Sequence, residues 1–411
     1  MHKRRRSDRN GRRGRLALGF IRTGSSTFRC QRLTEFVDGR RRTAYLPLNR
    51  LRPALDGVTA FSPLDTARAD LIHAFNRIPV GVRPFVVGYE SHLPRTWGLG
   101  AGWERLLLKL LLARRCRRIV AISNYAAENF RAGLAAGSLP GEARDQLVAK
   151  LEVRYPNIDV PKVPPPRPPM QGRLVATFVG AHFGRKGGCT VLRMADLAYR
   201  RDLPIEFNIV SSMQVGGSIW TDPSREDFFT PYRSLLSLPN ITYRAKLPNA
   251  EVLALLQRSH ICLLPTFADT FGFSVLEAMA MGTPALATAQ AAIPEVIDDG
   301  IDGLLLAPAR TPGHDSWVWP FAERGREDFE ALFAEETERL AEAGLDKLVR
   351  LLSDPSACER MSAAAHKKVL RMFNSEDAQT YWDSLYADCV EGRERTVAFG
   401  SHFPPRSATG P

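Results

Sequence analysis

The stretch "VPKVPPPRPPMQG", residues 160–172, constrains this chain more than any other. Its prolines, at 161, 164, 165, 166, 168 and 169, have no amide hydrogen to give. Neither a helix nor an interior strand therefore runs through it, and an extended, fairly stiff connector is expected. A chain of 411 residues is too long for one compact core, and the prolines mark where it divides.

On both sides of that boundary apolar strands alternate with helices. Before it, strands are expected at 16–21, 70–74, 84–89 and 118–122, with a helix in "WERLLLKLLLARRCRR" (103–118). Ser123 is placed to cap the helix of "NYAAENF" with its hydroxyl. After it, strands are expected near 173–179, 205–210, 241–245, 261–265, 284–288 and 303–306. Helices are expected near 187–199, 249–258 and 272–281. Residues 310–330 read as irregular, 327–352 as amphipathic helix and 375–391 as a final helix.

Strands separated by helices imply a parallel sheet covered on both faces. Two rounds of the pattern imply an α/β chain of two facing, doubly wound domains, with ligands in the interdomain cleft at the strands' carboxyl ends. The expected segments are a basic disordered tail (1–15), a first domain (16–160), the proline linker (161–172) and a second domain (173–374). A C-terminal helix (375–392), free to pack back on the first domain, and a disordered tail (393–411) complete the chain.

Charge and cysteines narrow the setting. The net charge is +12, but Lys3, Arg4, Arg5, Arg6, Arg9, Arg12, Arg13 and Arg15 against Asp8 supply most of it, so the body is only mildly basic. No aromatic residue interleaves with those arginines, as a single-strand nucleic-acid surface requires, and no nucleic-acid partner is expected. "LALGF" (16–20) is too short for a secretory signal, and no run reaches a membrane span. The six cysteines form no Cys-x-x-Cys pair, which suits a reducing cytoplasm better than disulfides or a zinc site.

Three segments carry the chemistry. "FADTFGFSVLEAMAMGTPALA" (267–287) reads as a strand's exit, a turn holding Asp269, and a helix holding Glu277. At the edge of a parallel sheet, the amides of Phe271, Gly272 and Phe273 would point outward as an anion seat, with Gly272 allowing close approach. Otherwise Asp269 is a helix cap and Glu277 a surface residue. "FVGAHFGRKGG" (178–188) is a second strand running into a glycine turn, with Arg185 and Lys186 for phosphate oxygens. The third, "AAIPEVIDDGIDGLLL" (291–306), joins a helix start to a turn and the next strand.

The basic glycine turn, then Asp-x7-Glu, then "PEVIDDGIDGLLL" together resemble the carboxyl-terminal half of family 4 retaining glycosyltransferases of GT-B fold. The resemblance covers about 170–310, and the first half only loosely. It implies two Rossmann-like domains and transfer of a sugar, hexose in type, from a nucleoside diphosphate donor. The acceptor would be a carbohydrate or a lipid-linked molecule, in polysaccharide or glycoconjugate synthesis. By the resemblance Glu277 holds the ribose hydroxyls and Asp269 lies by the transferred sugar, where the family more often has Glu. Lys186 matches the family's basic pair; its usual Arg falls at Ala181, so Arg185 stands in for it. Phe271, Gly272 and Phe273 would meet donor oxygens, and Gly24, in "RTGSSTFR" (22–29), the donor phosphates.

"PFVVGYESHLPR" (84–95) ends a strand in Glu90, Ser91 and His92. The family often has His there; register favours Glu90 and residue type favours His92. No Asp-x-Asp triplet is present to hold a diphosphate through a cation, so no metal and no cofactor beyond the nucleotide sugar are expected. Stretch 103–118 reads either as a basic amphipathic helix on the inner membrane face or as a core helix with arginines at its C-terminal end. Two other classes stay open: a GT-B nucleotide-sugar hydrolase or epimerase, and a basic-tailed nucleic-acid binder.

Overall fold

The computed structural model describes residues 16–18, 45–46, 55, 57–61, 70–96, 100–309, 324 and 328–393. The expected tail at 1–15, that at 393–411 apart from Arg393, and Gly24 lie outside them. The chain forms two compact units, one running to Asn157 and resuming at Ser375, the other spanning Ile158–Asn374.

The first unit contains β1 (Leu16–Leu18), β2 (Tyr45–Leu46), β3 (Val58–Phe61), β4 (Leu71–Phe75), β5 (Ile78–Val80), β6 (Phe85–Tyr89), β7 (Cys116–Ala121) and β8 (Leu151–Val153). Its helices are α1 (Ala101–Leu112), α2 (Asn124–Ala136) and α3 (Gly141–Ala149). The main sheet is parallel in the order β1-β4-β6-β7-β8, beside a small sheet β2-β3-β5. Along β6, Phe85, Val87 and Tyr89 turn to one face, where Leu107, Leu111 and Phe130 meet them. Val86 turns to the other face, with Leu71 and Val120, beneath Leu385, Tyr386 and Cys389 of the C-terminal helix Ser375–Glu391. Two covered faces explain why "FVVGY" is apolar throughout. Ser123 caps α2, its Oγ accepting from the Ala126 amide at 3.0 Å.

One expected helix is corrected. The stretch 103–118 is helical only to Leu112, because Cys116–Ala121 is needed as β7 between β6 and β8. Its arginines therefore leave the helix: Arg115 lies over the Phe85 ring and donates to the Gly81 carbonyl, and Arg118 pairs with Glu152. Leu107, Leu108 and Leu111 are buried in the core, whereas Leu106 is exposed. No helix among the described residues is long and apolar enough to cross a membrane.

The second unit contains β9 (Leu174–Val179), β10 (Ile205–Val210), β11 (Ile241–Arg244), β12 (Ile261–Leu264), β13 (Ala285–Thr288) and β14 (Gly303–Leu306). Its main helices are α4 (Gly188–Arg200), α5 (Asn249–Gln257), α6 (Phe273–Ala280), α7 (Phe329–Ser353) and α8 (Pro355–Met372). The sheet is wholly parallel, ordered β11-β10-β9-β12-β13-β14. The chain fills one side of β9 and then crosses over to start β12 on the other. The strand order reverses between β9 and β12, and doubly wound sheets bind ligands outside the carboxyl ends at such a point.

Helix α8 was not expected from the sequence, although "DPSA" carries its start: Asp354 accepts from the Ala357 amide at 3.1 Å and Pro355 fills the first helical position. The proline connector is not free. Arg167 donates to the carbonyls of Ser259 (2.7 Å) and His260 (3.2 Å), and the Pro161 carbonyl meets His366 Nε2 at 2.8 Å. It is fastened along the amino ends of β9 and β12, the edge opposite the reversal point's open end. The five described cysteines are buried and unbridged.

Candidate functional site

Two turns leave the carboxyl ends of β9 and β12, strands paired at Phe178 and Leu263. The first, 180–187, opens α4 through Gly187, whose φ of +83° suits glycine. A Cβ on Gly187 would lie 1.9 Å from the Pro265 carbonyl oxygen, so the two turns touch backbone to backbone. The Arg185 carbonyl accepts from the Phe267 amide (2.9 Å) and from Thr266 Oγ1 (2.8 Å). The Thr266 carbonyl in turn accepts from Thr288 Oγ1 (2.7 Å) and Gln290 Nε2 (2.9 Å). Behind the second turn Phe267 is fully buried, stacked on Phe333 with centroids 4.3 Å apart.

This framework brings Arg185, Lys186, Asp269, Phe271, Gly272 and Phe273 together. Lys186 Nζ forms an ion pair with the Asp269 carboxylate, and Arg185 reaches the Ala268 carbonyl at 3.5 Å. Asp269 Oδ1 accepts from the amides of Gly272 (3.2 Å) and Phe271 (3.4 Å). The expected outward, open amides at Phe271 and Gly272 are thus corrected: Asp269 occupies them. An aspartate two or three residues upstream reaches such amides, and the helix's positive end favours its charge. Phe271 is buried, tilted on Phe273 (5.5 Å) and edge-on to Phe373 (6.1 Å), so the phenylalanines anchor the turn from below.

Burial raises the pKa of Asp269, but Lys186 and Arg185 and the hydrogen bonds it receives outweigh that and hold its carboxyl below the ordinary value. The charged pair joins the two turns electrically as the backbone joins them sterically. Glu277 is one turn along α6 from Phe273, half-buried, accepting from Asn249 Nδ2 at 3.3 Å. Asn249 opens α5, which ties α5 and α6 at this edge.

Glu90 and His92 belong to the first unit. Glu90 is held on three sides: its Oε1 accepts from Arg95 (2.7 Å) and Asn76 Nδ2 (3.1 Å), and its amide donates to Asn76 Oδ1 (3.0 Å). His92 is exposed, and desolvation with Arg95 nearby lowers its pKa.

Two groups at the basic turn have no warning in the spacing of motifs. His182 lies within "FVGAHFGRKGG"; burial, then Arg185 and Lys186, push it down to about 4 against the pull of Asp269, so its ring is neutral near pH 7. Asp222, some forty residues downstream, is fully buried against Gly184, where a Cβ would come within 2.8 Å of its carboxylate. Among the described residues no cluster of three or more His, Cys, Asp or Glu is arranged to hold a metal ion.

Residues 173–314 match the family described as glycosyl transferases group 1. The D-inositol 3-phosphate glycosyltransferase of Corynebacterium kroppenstedtii is 27% identical over 154 residues, 38% of this chain and 32% of that protein. The N-acetyl-alpha-D-glucosaminyl L-malate synthase of Bacillus anthracis is 28% identical over 140 residues, 34% of this chain and 29% of that protein. The chain thus spans about a third of the length of the curated relatives it matches. Among solved structures, Anabaena Alr3699/HepE, in complex with UDP-glucose, aligns with a TM-score of 0.53 at 14% identity, over 83% of this chain and 84% of that one.

Proposed function

We propose that this chain, whose residues 173–314 match the group 1 glycosyltransferases, transfers a sugar from a nucleoside diphosphate sugar to a hydroxyl of a carbohydrate or lipid-linked acceptor. One observation carries the proposal: Arg185, Lys186 and Asp269 converge where the strand order reverses. That is where a doubly wound sheet receives a diphosphate, and two cations on a glycine turn suit it. The UDP-glucose bound to the Anabaena protein of the same fold is consistent with such a donor.

The donor's diphosphate takes Lys186 from Asp269, and the freed carboxylate accepts from hydroxyls of the transferred sugar. Glu277 accepts from the ribose hydroxyls. As the glycosidic bond breaks, negative charge gathers on the bridging phosphate oxygen. The fixed cations stabilise that charge more in the transition state than before it. The cations serve where other transferases use a divalent ion, so turnover should survive EDTA. Transfer retains the anomeric configuration by front-face attack, the departing phosphate taking the acceptor's proton, and no covalent nucleophile is assigned.

The test is calorimetric titration with UDP-glucose, GDP-mannose and ADP-glucose, on the parent and on Lys186→Ala and Glu277→Ala. Binding to the parent and at least tenfold weaker binding to both variants supports the donor site. No binding to the parent, or unchanged variants, overturns it. Release of free sugar without any acceptor would instead assign a hydrolase.

A further inference from the structure

Beneath the basic turn lies a carboxylate that the proposed reaction does not use. Asp222 lies in the excursion that follows β10, residues 211–226, and that excursion is sewn to the turn. The Phe183 amide donates to the Gln214 carbonyl (2.8 Å), and the Gln214 amide donates to the Ala181 carbonyl (3.0 Å). Asp222 Oδ2 accepts from the Gly216 amide at 3.3 Å, while Oδ1 is buried without a hydrogen bond of normal geometry. Arg324 fixes the same excursion through the carbonyls of Ile219 (2.8 Å) and Gly217 (3.0 Å) and through Ser224 Oγ (3.2 Å). Gly184, directly before Arg185, has room for the carboxylate only because it lacks a Cβ.

We propose that Asp222 is a positioning residue that braces the Arg185–Lys186 turn and takes up a proton when a nucleotide sugar binds there. The inference rests on the donor site proposed above. The groups facing the carboxylate are Arg185 on the turn, Arg324 and the buried Cys189 thiol of α4. A dianionic diphosphate on Arg185 and Lys186 adds negative charge nearby and engages the charge of Arg185. Both effects favour the neutral carboxyl. The group is poised for this: burial pushes its pKa up to about 7, although the Gly216 amide, Arg185 and Arg324 oppose the rise. By linkage, binding tightens as pH falls toward 7 and weakens above it.

Titrations of the parent with a nucleotide sugar that binds it, at pH 7.5 in two buffers of different ionisation enthalpy, measure the protons exchanged. A nucleotide sugar is the right probe because its diphosphate has no group titrating near neutrality. The parent should take up roughly half a proton, and its Kd should weaken about three- to tenfold from pH 6.5 to 8.5. Asp222→Asn, which keeps the shape and removes the charge, should take up none and show a flat profile. Its affinity should stay near the parent's value at low pH. Absence of uptake by the parent overturns the proposal whether or not the variant folds. Uptake that persists in Asp222→Asn also overturns it, and shifts the proton to His182. If no nucleotide sugar binds the parent, the donor reading falls first and this one with it.

Discussion

The two turns that meet at the site have matching backbones and opposite tolerances. Gly187 and Gly272 sit at the starts of α4 and α6, at φ of +83° and +84°. A Cβ on Gly187 would strike the Pro265 carbonyl at 1.9 Å, whereas on Gly272 its nearest neighbour would be Ile293 Cγ1 at 3.4 Å, an ordinary contact. One glycine is required by space and conformation together, the other by conformation alone. The tight turn is the one that carries both cations. Where backbone lies on backbone nothing can relax, and a charge held there is fixed before any ligand arrives, as electrostatic catalysis requires.

The largest effect should come from Gly187→Ala. Left-handed strain and overpacking together should cost about 3 kcal/mol or more of unfolding free energy, read by urea denaturation, and donor binding should go with it. A stable variant that still binds would break the contrast. Next is Lys186→Ala, which should reduce kcat/KM about 30- to 1000-fold, or ~2–4 kcal/mol in barrier, in an assay with the donor that binds.

The same ion pair gives a pH test of the link between the turns. The folded-state pKa of Asp269 lies below its ordinary value, so its stabilisation is present at neutral pH and lost as acid brings the pH down through that lowered value. In Lys186→Met the largest remaining influence is burial, which raises the pKa, so the acid-induced loss should shrink. Equal acid sensitivity in urea titrations from pH 5 to 3 would deny the pair its role. Smallest should be Gly272→Ala, at about 1 kcal/mol, with Gly272→Asn milder because asparagine enters the left-handed region more readily. A cost for Gly272→Ala matching that for Gly187→Ala would erase the distinction.

Much of the second unit was legible in the chain. Strands at 205–210 and 303–306 stand where the apolar runs placed them, and α6 lies within one residue of its expected ends. Buried parallel strands and capped helices write themselves locally, as unbroken apolar runs and as turn residues at fixed offsets. Arg185, Lys186 and Asp269 could be picked out because each stands on a glycine turn after such a strand. The helix 103–118 failed for the same reason in reverse: "LLLKLLL" continues smoothly into "ARRCRR", and only the need for a strand beside β6 ends it at Leu112.

The sequence by itself determined the doubly wound pattern and the residue types at the two turns. These follow from backbone propensity and hydrophobic period, which act over a few residues. Tertiary structure alone decided that the Phe271 and Gly272 amides are taken by Asp269, that Glu90 is tied to Arg95, and that Asp222 lies under Gly184. Each depends on which partner a polar group finds once the chain is packed, over two or three residues for Asp269, five for Glu90 and Arg95, and some forty for Asp222 and Gly184.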